Sequence, residues 1–120
     1  MRMHIAKQAE RLARRNKTSS HFRLGAVVSQ GARVYSRGCN QTKPKGIIPC
    51  SVHAEEAALR RLPVLDGGDI YIARVLADDT LAISRPCDNC MKLIREKHLD
   101  TIHFISKNGL WTSEEIVYER

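Results

Sequence analysis

Two short stretches of this sequence hold the residues whose types and spacing could do chemistry. In Ser51-Val52-His53-Ala54-Glu55-Glu56-Ala57, an imidazole is followed two residues on by a carboxylate. In Pro86-Cys87-Asp88-Asn89-Cys90, two thiols stand three residues apart. Imidazole nitrogen and thiolate sulfur are borderline-soft donors that suit zinc. His53, Cys87 and Cys90 supply three ligands, which leaves the fourth tetrahedral position open, as in catalytic rather than structural zinc sites. Zinc takes the pKa of bound water from about 9 for the aqueous ion to about 7 in a suitable protein site. The expected chemistry is therefore that of a zinc hydrolase, with Glu55 beside the open position moving protons.

Other readings of these residues exist. A structural zinc would need a fourth protein ligand, and Cys39, Cys50, His21, His98 and His103 are the available donors. Of these, His98 and His103 read as core or surface histidines, and Cys39 and Cys50 as free thiols. A C-x-x-C at a helix start also fits thiol–disulfide exchange, but that reading uses neither His53 nor Glu55.

The elements that must position these groups follow from periodicity. Cys87 to about Lys97 reads as a helix, which points Cys87 and Cys90 the same way. Residues 52–62 read as a second helix, with Ser51 as N-cap, Ala54, Ala57, Ala58 and Leu62 facing inward, and Pro63 ending it. Two helix N-termini aimed at one metal would lower the thiol pKa values. Residues 1–16 form an amphipathic helix with Ile5, Ala9, Leu12 and Ala13 inward and Lys7, Gln8, Arg11, Arg14 and Arg15 outward; Asn16 stops it. That outer face is either a solvated surface or a basic ridge for a polynucleotide backbone.

Strands are expected over 22–28 and 32–38 as a hairpin, over 70–76 as the central strand, and over 101–106. Residues 41–50 contain two prolines and a glycine and read as a loop bordering the site. Its Lys43 and Lys45 are candidates to meet a phosphate. Asn108-Gly109 is a strong hairpin signal, so a last strand around Leu110 to Thr112 should run antiparallel to the one before it. A helical tail from Ser113 to Tyr118 would close the chain. The sum is a three-layer α/β/α sandwich around one five-stranded mixed sheet, a single domain over residues 1–120.

The chain has 120 residues, 42% hydrophobic and 5% aromatic, with a net charge of +7. That is enough for one aliphatic core. No apolar run approaches the ~20 residues of a membrane span, and Met1-Arg2-Met3-His4-Ile5 lacks an apolar signal core. A cytoplasmic protein is expected, its cysteines serving a metal rather than disulfides. The basic balance favours anionic partners: nucleic acid, nucleotides or phosphates.

Taken together, His53-x-Glu55 and Pro86-Cys87-x-x-Cys90, with Asn40 ahead and a strand between, resemble the H-x-E…P-C-x-x-C signature of the cytidine deaminase superfamily. The resemblance covers about Phe22 to Ile105. It implies hydrolytic deamination of a cytosine base with one Zn2+ per protomer. It assigns Asn40 to the substrate sugar, the Ala54 backbone amide to the base carbonyl and the Arg85 carbonyl to the amino group. Arg85 and Asn89 depart from the members that act on adenosine in transfer RNA. An antiparallel last strand is similar to the free-nucleoside branch, whereas His as first ligand resembles the deoxycytidylate and nucleic-acid enzymes. The expected substrate is a free pyrimidine nucleoside or nucleotide; cytosine in single-stranded DNA or RNA is the alternative. By analogy the protein is a homo-oligomer.

Overall fold

In the computed structural model, residues 1–16, 22–45, 48–60 and 62–118 are described, with the backbone alone for 22, 41–45 and 48–52. Helix α1 (Met3–Arg15) leads into strands β1 (Phe22–Gln30) and β2 (Arg33–Cys39). A small hairpin, β3 (Gln41–Lys45) and β4 (Ile48–Val52), precedes helix α2 (Ala54–Leu59). Then come β5 (Asp69–Leu76), the two-residue β6 (Leu81–Ala82), helix α3 (Asp88–Glu96), β7 (Thr101–Ile105) and β8 (Trp111–Glu115).

The main sheet runs β2-β1-β5-β7-β8, with β6 paired to β5 as a short sixth strand. β5 and β7 are parallel, joined through α3, while the β1–β2, β1–β5 and β7–β8 pairs are antiparallel. The expected five-strand mixed sheet is thus present, and β6 adds to it.

Alternation along the strands assigns each face its helices. Val27, Tyr71, Ala73 and Val75 point to one side and pack on Ile5, Ala6, Ala9 and Ala13 of α1. Ala26, Val28, Ile70, Ile72, Ile102 and Phe104 point to the other and pack on Ala54, Ala58 and Leu59 of α2 and Ile94 of α3. Three layers result, as the sequence predicts. The approach of the helices is close. A Cβ on Gly25 would lie 2.5 Å from the Ala9 carbonyl oxygen, and one on Gly38 would lie 2.4 Å from the Ala58 nitrogen.

Three expectations are corrected. Residues 41–50 are not loop throughout: β3 and β4 pair with Pro44 opposite Pro49. A directly opposed proline pair fits a position of an antiparallel ladder where no hydrogen bonds are exchanged. Ser51 is not the N-cap of α2, because its backbone pairs with Thr42 in this hairpin and the helix starts at Ala54 with His53 capping. The tail is not helical. β8 pairs on to Glu115 opposite Thr101, and the chain then follows the sheet end, with Ile116 N–H donating to the Asp100 carbonyl at 2.8 Å.

Candidate active site

His53 stands at the junction of β4 and α2. Its backbone is extended, and its carbonyl accepts the Ala57 N–H at 2.9 Å. The ring makes no capping bond, which leaves it to face α3. Cys87 holds the same N-cap position on α3, and Cys90 lies in that helix's first turn. The segment before Cys87 is pinned by buried Ser84: its hydroxyl donates to the Ile72 carbonyl and accepts the Ile105 N–H, each at 2.7 Å. The Pro86-Cys87 approach is therefore anchored to β5 and β7.

His53 Nδ1 lies 3.3 Å from Cys90 Sγ and 3.8 Å from Cys87 Sγ, and the three donor atoms fall within 4.8 Å of one another. Tetrahedral zinc at ordinary bond lengths separates such donors by about 3.6 Å. Among the described residues no fourth His, Cys, Asp or Glu completes this cluster. Cys39 is directed at the Leu12 carbonyl, His98 stacks on Tyr118, and His103 is held by Asp69 and Ser113. His21 and the Cys50 side chain lie outside the described residues, as do the side chains of Lys43 and Lys45.

Glu55 joins this group. It is 3% exposed and its Oε1 has no hydrogen-bond partner. Burying a carboxylate oxygen unpaired is costly, and a dication with an activated water beside it would remove that cost. The donor set and the unpartnered carboxylate oxygen both fit zinc. In the metal-free chain, burial first, then the neighbouring Glu55 carboxylate, pushes the Cys90 thiol well above its ordinary range, so zinc would have to displace a proton from it.

The remaining predicted residues occupy distinct places. Ala54 is fully buried at the first position of α2. Asn40 is buried at the end of β2, where its Oδ1 accepts the Leu24 N–H at 2.7 Å and the Asn16 side-chain amide at 2.6 Å. Arg85 is exposed and its guanidinium meets Glu114 at 3.1 Å. Asn16 is the residue that sequence reasoning missed. It reads as a helix stop, but it locks Asn40 to the end of α1. Its only signal was a polar side chain at the point where α1 must hand over to the sheet.

The family model for the cytidine and deoxycytidylate deaminase zinc-binding region matches residues 2–106. Among solved structures, the chain is similar to a cytidine deaminase from Burkholderia pseudomallei, at 18% identity and a TM-score of 0.69 over 96% of this chain and 93% of that one. It is similar also to a dCMP deaminase from the cyanophage S-TIM5, at 21% and 0.58 over 85% and 82%. A cytidine deaminase from Mycobacterium tuberculosis aligns at 24% and 0.53 over 85% and 84%. These likenesses are of fold. No curated protein matches the chain. The family match spans the His53, Cys87 and Cys90 cluster, and on it the chain belongs to the zinc-binding cytidine and deoxycytidylate deaminase family, with zinc as its cofactor.

Proposed function

We propose that this protein hydrolyses the exocyclic amine of cytosine to give uracil and ammonia, acting on a free pyrimidine nucleoside or nucleotide. The observation that carries the reading is the buried Glu55 carboxylate, one of whose oxygens, Oε1, has no hydrogen-bond partner, next to three convergent zinc donors. His53, Cys87 and Cys90 would hold the metal, which supplies Lewis-acid activation of water. Glu55 takes a proton from the attacking water, places it on the adjacent ring nitrogen and later delivers a proton to the departing amine. The C4–N bond breaks and a C4–O bond takes its place. Ala54 N–H meets the base carbonyl, the Arg85 carbonyl meets the amine, and Asn40 meets the sugar.

Two observations support a free substrate. The last strand is antiparallel to β7, as in the free-nucleoside branch, and the Arg85 guanidinium is engaged by Glu114 rather than displayed for a polymer. The net charge of +7 favours the second reading, cytosine within single-stranded DNA or RNA. The exposure of His53 and Cys87 in the isolated chain supports a homo-oligomer, since a second copy would shield the site from water. Unpaired zinc-binding thiols suit the reducing cytoplasm.

The test is uracil formation by the zinc-loaded protein on cytidine, deoxycytidine, their monophosphates and a cytosine-containing single strand. Turnover of a free substrate supports the first reading, turnover of the strand alone the second. No turnover with stoichiometric zinc bound overturns both.

A further inference from the structure

Across the sheet from the metal ligands, a cavity of about 370 Å³ lies between α1 and the edge strand β2. Gln8, Arg11, Leu12, Arg15 and Arg37 line it. Three of these five side chains are guanidinium groups and none is acidic. Among the described residues, no ion pair involves Arg11, Arg15 or Arg37. Arg37 is held in place by Gln8, whose Oε1 accepts from Arg37 Nε and Nη2 at 3.4 and 3.2 Å. Glu10, the nearest acid on α1, is turned to Arg14 and the Trp111 indole. Three like charges gathered in a concavity with no counter-charge repel one another, and an anion relieves that repulsion.

The arrangement suits a row of anions rather than one. Arg11 and Arg15 are one helical turn apart, about 6 Å along the axis. Exposed Lys7 and Arg14 continue the positive face of α1. A positively charged groove that can track a flexible backbone is the feature by which single-stranded nucleic acid is held. We infer that the α1–β2 groove binds a single-stranded nucleic acid through its phosphates, on the side of the sheet opposite the zinc site. The inference does not depend on which cytosine substrate the zinc site takes.

A labelled oligothymidylate tests it, because it has phosphates and bases but no cytosine to engage the active site. Zinc-loaded wild type is expected to bind it with a steep salt dependence. The variant Arg11→Gln/Arg15→Gln/Arg37→Gln is expected to bind ~10-fold or more weaker at low salt, with the log–log salt slope shallower by about 2, as loss of three phosphate contacts on a single strand implies. Zinc content and turnover of free cytosine substrates should be unchanged. The corresponding triple lysine variant retains charge and should retain most of the binding. Salt-independent binding by wild type, no binding at low salt, or equal binding by the glutamine variant overturns the inference. Competition by inorganic phosphate at millimolar concentration as effective as by the oligonucleotide would also overturn it, by reducing the groove to a simple anion site.

Discussion

The Asn16 side-chain amide donates to Asn40 Oδ1 at 2.6 Å and to the Asn40 carbonyl at 3.0 Å. One residue at the end of α1 thus fixes the rotamer of the residue proposed to meet the substrate sugar. Replacing Asn16 by Ala removes this donor from Asn40 Oδ1 while the Leu24 N–H remains. A lost hydrogen bond of this kind is worth about 1 kcal/mol. Asn16→Ala should therefore raise KM roughly 5-fold while kcat and bound zinc change little. Steady-state kinetics with a zinc assay reads all three quantities.

Glu55→Gln is expected to reduce kcat by ~100-fold or more with one zinc per chain retained, as elemental analysis would register. The substitution also removes the negative charge that helps raise the Cys90 thiol. In metal-free protein, Cys90 should then deprotonate at lower pH and alkylate faster than in wild type. Unchanged alkylation would mean that burial alone governs that thiol.

Zinc uptake should release protons. Cys90 is held as a thiol at neutral pH by burial and by Glu55, and only its thiolate binds the metal. The sign follows directly: a raised thiol pKa disfavours the metal-binding form, so affinity climbs with pH until that proton is gone. Calorimetry in buffers of different ionisation heat counts the protons. Cys90→Ser should weaken zinc by more than ~100-fold. Chelation from a site loaded at a thousand times Kd withdraws about 4 kcal/mol, a fall in Tm of roughly 10–20 °C.

His103 gives a control that separates stability from chemistry. It is 3% exposed, stacked on Tyr71 at 4.2 Å, and bonded through Nε2 to Asp69 at 2.7 Å and through Nδ1 to Ser113 at 2.6 Å. These contacts tie β5, β7 and β8 together on the α1 face. His103→Ala should cost about 2–4 kcal/mol, visible in denaturant unfolding. Zinc affinity at a permissive temperature should hold, because the ligands lie across the sheet.

The convergence of His53, Cys87 and Cys90 into one candidate metal site was legible in the sequence because metal chemistry demands particular side chains at particular spacings. Asn108-Gly109 likewise disclosed the final hairpin, with Gly109 at a φ of 79°. Harder features depend on tertiary pairing. Pro44 and Pro49 argue against strands until they are seen opposite each other. Ser113 to Tyr118 has helix-compatible residues, yet β7 offers an unpaired edge, and pairing with it outweighs local preference. The basic ridge of α1 was legible, but the Asn16–Asn40 contact and the place of Arg37 beside that ridge were not, since each depends on what another element brings to α1.

Gly25 and Gly38 put this dependence in mechanical terms. At these two places α1 and α2 rest on bare main chain, one from each side of the first hairpin. Peptide groups do not change rotamer, so the seat of α2 has almost no play. The imidazole at its tip inherits that stiffness, and the lock on catalytic geometry is set by two missing methyl groups rather than by any side chain that touches the metal.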